Sequence, residues 1–318
     1  MKAVLYRSYG EAKVLEIGTV EAPLPRRTEV LVRVAAAALN PKDILTRKGK
    51  FKLFTGRRFP MVPGLDIAGE VIAKGSAVAT YDIGQRVHGM LNGWRGGGCA
   101  EQAVAGESEL APIPTEMSVV QAAALPLAGM TALQALRDLL RVKEGERVCI
   151  NGASGGVGTL AVQIAKLLGA QVVAVCSGRN AALVAGLGAD EVVDYTHTDV
   201  TRSGPYDAFF DVFGNCPPAR VSRALPSGRH CTTVPSPGAI LRELQGRLLG
   251  RPRRMVIVRG NGADLRQLDQ WYAARGLDIV VDRVLPFSQA AEAHRYLETK
   301  RARGKVVLVP DPLFDHQA

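Results

Sequence analysis

The chain has 318 residues, 47% of them hydrophobic and only 5% aromatic, with 40 Lys and Arg against 30 Asp and Glu, a net charge of +10. That length gives room for two domains, each with its own core, in an ordinary globular protein. No apolar run approaches the roughly 20 residues needed to cross a bilayer, so a spanning segment is excluded and no membrane partner is expected. The cations gather at residues 47–58, 247–254 and 300–305, without an interleaved aromatic platform or a DNA-binding motif, so nucleic acid is not an expected partner. A solvated surface and attraction for a polyanionic cofactor account for the charge.

Residues 1–120 read as mostly β. Short alternating segments at 2–6, 29–34, 67–74, 86–90 and 101–105 are separated by turn signals such as Pro63-Gly64 and Gly96-Gly97-Gly98. That spacing predicts a partly open barrel. The N-terminus reads as a first strand with no long apolar core behind it, hence no signal peptide and an expected cytoplasmic location. Residues 118–140 turn helical, interrupted by Pro126 and Gly129. From residue 147 the pattern is α/β, with strands predicted at 147–151, 171–176, 191–193, 207–212, 228–234 and 255–258. Gly169 and Gly188 mark helix ends. Six such strands predict a doubly wound parallel sheet of Rossmann type. A helix at 263–275, a strand at 278–284, a helix at 288–301 and a strand at 305–309 close the chain. The expected organisation is a β domain at 1–120, a nucleotide domain at 121–258 and a returning part of the first domain at 259–318.

The stretch Gly152-Ala153-Ser154-Gly155-Gly156-Val157-Gly158 is the most informative. It joins an apolar strand directly to a helix, and a second strand completes a βαβ unit. Such a turn brings backbone N–H groups and the positive end of a helix to a pyrophosphate. The next strand ends in Ser177-Gly178-Arg179-Asn180, with no acidic residue before Asp190. NAD sites place an acid there for the ribose 2′-OH; a cation suits a 2′-phosphate. Arg179 either pairs with that phosphate, which Ser177 can also reach, or opens the next helix as a solvated residue. NADPH is the expected cofactor. The five cysteines are scattered without a Cys-x-x-Cys pair, which argues against a disulfide framework, and Cys149 and Cys176 fall in predicted buried strands.

Several motifs in a shared order resemble the medium-chain dehydrogenase/reductase superfamily, and within it the zinc-independent quinone oxidoreductase group. They are Ala38-Leu39-Asn40-Pro41-Lys42-Asp43, the run from Val62-Pro63-Gly64 to Val71, the run from Leu125-Pro126 to Ala132, the glycine loop, Leu187-Gly188-Ala189-Asp190 and Gly304-Lys305-Val306-Val307-Leu308. The resemblance implies a GroES-like barrel domain interrupted by a Rossmann domain. Zinc members of the superfamily place Cys near position 40, His at 65 and Cys near 126. This chain has Asn40, Leu65 and Pro126-Leu127, so a three-ligand zinc site is not expected.

The resemblance also implies site residues. Asn40 is placed near nicotinamide and substrate, as the one catalytic candidate, or else is only a turn residue before Pro41. Thr131 and Lys305 line the cofactor, or else Thr131 bonds its own helix and Lys305 is a solvated strand start. Tyr195 flanks the adenosine phosphate; Val212, Phe213 and Gly214 pass beneath the cofactor; Val234 and Pro235 end a strand at the same edge. Asp211 is read as organising its turn. Many relatives carry a Tyr where this chain has Leu45, so no phenolic proton donor comes from that loop. The expected function is NADPH-dependent hydride transfer to a quinone or an α,β-unsaturated carbonyl. The alternatives are a zinc-free alcohol or enoyl-thioester oxidoreductase, and a non-catalytic NADPH-binding protein. A homodimer through the Rossmann sheet edge, at residues 255–258, is implied as well.

Overall fold

The computed structural model of the chain describes residues 1–234, 243 and 255–311. They group into two compact units: Met1–Leu127 with Arg259–Ala273 and the residues from Val280 onward, and Ala128–Val258 with Ala274–Ile279. In chain order, β1 (Lys2–Leu5), β2 (Glu16–Thr19), β3 (Glu29–Leu39), α1 (Pro41–Arg47), the single turn α2 (Lys52–Thr55), β4 (Asp66–Lys74), β5 (Arg86–Met90), β6 (Gln102–Gly106), β7 (Leu110–Pro112) and α3 (Val119–Ala124) open the first unit. α4 (Pro126–Leu133) leads into β8 (Arg147–Asn151), α5 (Gly156–Leu167), β9 (Gln171–Cys176), α6 (Ala181–Gly186), β10 (Glu191–Asp194), β11 (Ala208–Asp211), α7 (Pro218–Val221) and β12 (His230–Thr232). The chain then returns through α8 (Gly262–Ala273), β13 (Val281–Pro286), α9 (Ala290–Glu298) and β14 (Lys305–Val309).

The first unit is built on one seven-stranded sheet, ordered β13-β14-β3-β4-β5-β7, with β6 also paired to β3. β3 is the hinge of the design. Its first half, from Glu29 to Arg33, pairs with β6, and its last residues, Ala37 to Leu39, pair with β14. Two register shifts against β4, between Leu31 and Val32 and between Val34 and Ala36, bend the strand so that it serves both partners. Small residues allow that curvature: a Cβ on Gly69 would lie 1.9 Å from the Arg33 carbonyl oxygen. The interior is apolar, with Val30, Val32, Ala36, Ala37, Ala38, Ile67, Ala68 and Val71 fully buried.

The second unit carries a parallel sheet of order β10-β9-β8-β11-β12. The order reverses between β8 and β11, which are paired in register so that Asn151 lies opposite Asp211. Ligands of such sheets bind where this reversal leaves a crevice at the strand C-termini. Left-handed glycines stop the helices as expected, Gly169 at φ +82° and Gly188 at φ +98°.

Three expectations need correction. The sixth parallel strand at 255–258 is reduced to a single bridge between Thr232 and Met255, beside a Val256 N–H to Thr232 carbonyl bond of 3.0 Å. Residues 121–127 group with the first unit, because α3 packs on β3, β4 and β14. Residues 274–279 group with the second. There the Gln163 side chain clamps Asp278, donating to its carbonyl at 2.9 Å and accepting from its N–H at 2.6 Å.

Candidate functional site

In the second unit the glycine loop follows β8 at the point of reversal. The Gly152 and Ala153 N–H groups donate to the Val175 carbonyl at 3.1 and 3.0 Å, tying the loop to β9. Gly152 takes φ +86°, and a Cβ on Gly158 would stand 2.1 Å from the Gly152 carbonyl oxygen. Only glycine lets α5 start that close to the turn. Gly155 caps α5, and the first-turn N–H groups of Gly156, Val157 and Gly158 have no preceding turn to bond. A phosphate satisfies such donors.

Among the described residues, two buried side-chain polar atoms of the second unit lack a partner. Asn180 is buried; its Nδ2 donates to Ser154 Oγ at 2.9 Å, while its Oδ1 has no partner. Thr131, 4% exposed in α4, has an unpartnered Oγ1, so it does not bond its own helix. Buried polar atoms left open cost free energy unless a ligand or water meets them. With the glycine cradle, they fit a bound dinucleotide.

Ser177 and Arg179 sit at the end of β9, Ser177 half-buried and Arg179 exposed. The Arg179 guanidinium has no ion pair or hydrogen bond among the described residues. A carboxylate that went unnoticed in the sequence lies nearby. Asp194, paired in register with Cys176, approaches Gly178 so closely that a Cβ there would meet its Oδ2 at 2.5 Å. Asp194 accepts from the Thr196 N–H at 2.9 Å and hydroxyl at 2.8 Å, which hold its carboxyl below the usual range.

Tyr195, Phe213 and Val234 are exposed at 63%, 47% and 39%, uncommon for such side chains. Val212 and Gly214 lie on the same turn as Phe213, which Asp211 organises. Its carboxylate accepts from the Gly214 N–H at 2.8 Å, the Cys216 N–H at 2.9 Å and Asn151 Nδ2 at 2.7 Å. Pro235 lies outside the described residues. All five cysteines are buried, and burial pushes their thiols up, Cys176 and Cys216 to about 11.

In the first unit, Asn40, Lys305 and Asp66 form a buried network. Lys305 Nζ donates to Asn40 Oδ1 at 2.6 Å and to Asp66 Oδ2 at 3.1 Å; Asn40 Nδ2 donates to Asp66 Oδ2 at 3.0 Å. The Leu127 N–H donates to Asp66 Oδ1 at 2.8 Å. Lys305 is 4% exposed, so the solvated reading of that residue fails. Asn40 does precede α1, and its N–H donates to Asp43 Oδ2 at 2.8 Å, but its side chain is committed to the network. Asp43 also accepts from the Gly64 N–H, and burial raises its carboxyl to about 6. Burial raises Asp66 as well, against the lowering pull of Lys305 and Asn40. Sequence reasoning gave Asp66 and Asp43 no role. The available signal was a pair of opposite charges, Asp66 and Lys305, each opening an apolar strand.

A Rossmann sheet with a glycine cradle, joined in one chain to a bulged GroES-like barrel, defines the architecture of a nucleotide-dependent dehydrogenase or reductase. Residues 26–115 match the family described as alcohol dehydrogenase GroES-like domain, and residues 187–308 the one described as zinc-binding dehydrogenase. The chain is 34% identical to a chloroplast envelope quinone oxidoreductase homolog of Arabidopsis thaliana, over 98% of each chain. It is 36% identical to an NADPH-dependent alkenal/one oxidoreductase of the same plant, over 98% of this chain and 80% of that one. The solved structure of the quinone oxidoreductase from Coxiella burnetii superposes with a TM-score of 0.88 at 33% identity, over 98% and 99% of the two chains. The chain belongs to the medium-chain dehydrogenase/reductase superfamily, in its quinone oxidoreductase-like group, and is an oxidoreductase of the kind that binds a nicotinamide cofactor. No helix among its described residues is long and apolar enough to cross a membrane.

Proposed function

We propose that this oxidoreductase uses NADPH to reduce a quinone or an α,β-unsaturated carbonyl, and that it does so without zinc. The observation that carries the reading is the exposed Arg179 guanidinium, unpaired among the described residues, at the end of β9, the strand end where a 2′-phosphate lies in NADP sites. Relatives named for quinones and for alkenals support the acceptor class. Zinc independence is supported by Asn40 and Leu65. The first has its side chain committed to Asp66 and Lys305, and the second is a buried apolar residue. No three His, Cys, Asp or Glu side chains gather to hold a metal among the described residues. The match described as zinc-binding dehydrogenase begins at residue 187, beyond both positions.

The roles follow from the donors and acceptors each residue has left. The loop Gly152 to Gly158 and the start of α5 receive the pyrophosphate; Asn180 Oδ1 and Thr131 Oγ1 offer one polar contact each. When bound, the reduced nicotinamide supplies the hydride. Lys305 spends two of its three N–H groups on Asn40 and Asp66, which fixes its ammonium and leaves one donor over. A donor aimed at the oxygen that gains charge lowers such a barrier by about 2.7–4 kcal/mol. With Leu45 in α1, the helix after β3, the final proton comes from water or another group.

NADPH oxidation is followed with a panel of simple quinones and enones, with and without a chelator. Turnover that survives chelation is expected. Arg179→Gln is expected to weaken NADPH binding about ten- to a hundredfold, the loss of one charge-assisted contact, and to leave NADH binding unchanged. If no acceptor oxidises NADPH although the nucleotide binds, the catalytic reading fails. The second reading, NADH, rests on Asp194 beside Gly178, a carboxylate placed to accept from a ribose hydroxyl; equal affinity for the two nucleotides favours it.

A further inference from the structure

Residues 44–65 carry six cations, Arg47, Lys48, Lys50, Lys52, Arg57 and Arg58, and no Asp or Glu. Folding neutralises two of them. Arg47, at the end of α1, is fully buried, with its guanidinium on Glu298 and on the Gly10 carbonyl, so it is no part of the solvated surface. Lys48 pairs with Glu11 at 3.0 Å and Glu298 at 3.3 Å. Lys50, Lys52, Arg57 and Arg58 remain exposed, without an ion pair among the described residues.

Large apolar side chains stand among these four cations. Leu53 and Phe54, in the single turn α2, are 90% and 64% exposed, and Trp94 is 40% exposed. Trp94 stacks on Phe54 with ring centroids 4.6 Å apart at 14°, lies 5.5 Å from Phe51, and has Lys42 Nζ 4.9 Å from its ring. Arg95 donates to the Arg58 carbonyl and fastens the two loops together. The platform is not visible along the chain, because Trp94 is 40 residues beyond Phe54 and joins it only on folding.

A leucine with nine-tenths of its surface in water protrudes and lines no groove, whereas a peptide ligand needs a groove or an open sheet edge. Protruding apolar side chains ringed by unpaired cations match a bilayer instead. Aromatic rings settle at headgroup level, aliphatic tips enter the acyl boundary, and Lys and Arg are drawn to anionic lipid. We propose that the patch of Leu53, Phe54 and Trp94, with Lys50, Lys52, Arg57 and Arg58, seats the protein on an anionic membrane surface. This is contact with one leaflet and not a span, and it is independent of the proposed chemistry.

The full-length protein is sedimented with vesicles of phosphatidylcholine alone and of phosphatidylcholine mixed with phosphatidylglycerol. It is expected to pellet with the mixed vesicles only and to be released by high salt. Leu53→Ser with Phe54→Ser lowers the partition coefficient more than tenfold, and Lys52→Gln or Arg57→Gln lowers it about fivefold each. These side chains are exposed, so circular dichroism and turnover of a soluble acceptor stay as in the wild type. In a Trp271→Phe background, Trp94 emission moves to the blue on the mixed vesicles. Wild-type protein that stays in the supernatant with both vesicles overturns the proposal, as does a double variant that pellets undiminished. Variants that raise the KM for acceptor while vesicle binding is unaltered overturn it too, and assign the patch to substrate.

Discussion

The glycine loop of the second unit and the Asn40–Asp66–Lys305 network of the first are both positioned by strand ends, yet they are made of different material. The loop is main chain. Seven consecutive residues give the turn, the close approach and the free N–H groups, and the side chains nearby adjust a site that the backbone has already formed. The network is side chain. Its members are 26, 239 and 265 residues apart in the pairs that bond, and each is buried only because the others answer its charge or hydrogen-bonding groups. A backbone site fails by steric intrusion, and a side-chain network fails by losing one partner.

The largest effect tests the backbone half. Gly158→Val drives a side chain onto the Gly152 carbonyl oxygen and the Ala153 backbone, so NADPH binding measured by calorimetry is expected to vanish and the melting temperature to fall. Gly155→Ala, where the nearest atom is 3.6 Å away and φ is −85°, is expected to change both only slightly. Equal behaviour of the two variants breaks the distinction.

The network half comes next. Lys305→Met leaves the Asp66 carboxylate buried without its cation, which destabilises by about 3–5 kcal/mol in denaturant unfolding. Adding Asp66→Asn removes the orphaned charge and keeps an acceptor for the Leu127 N–H, so much of that loss returns. Additive losses in the double variant would show that the residues do not act as a unit.

The smallest effect concerns a buried group outside both sites. His294 lies in α9 with both ring nitrogens unpartnered, and burial, helped by Arg47, lowers its pKa to about 3. The unfolded chain takes up that proton near pH 6.5 and the folded one near 3, so His294 costs stability progressively as pH falls across that window. His294→Leu is expected to gain on the order of 2–3 kcal/mol more at pH 4 than at pH 8, measured as unfolding free energy. Asp43, raised to about 6 by burial, has the opposite sign: its contribution weakens as pH rises from about 4 to 6. Between about pH 4 and 6 the two slopes oppose each other and nearly cancel in the wild type, so the His294→Leu profile falls there where the wild-type contribution of the pair stays nearly flat.

The two-domain α/β architecture, the glycine loop and the helix stops at Gly169 and Gly188 could be read directly, because each depends on residues close together in the chain. Periodicity, turn chemistry and backbone freedom act over a few residues and need no partner. Asp66, Asp43 and Asp194 escaped notice because a carboxylate's role is set by what folds against it. The same reason explains why Arg47, expected at the surface, and Lys305, read as lining the cofactor or else as a solvated strand start, are buried: each is stable there only with partners that pairing and helix packing deliver. Trp94 over Phe54 is a further case. The 255–258 segment, apolar enough for a strand, forms a single bridge, since sheet membership needs a neighbour as well as a propensity. Sequence alone decided the kind of fold and where its backbone turns so tightly that only glycine fits. The tertiary structure decided which charges are buried, paired or exposed, because electrostatic free energy depends on distance and burial and not on order along the chain.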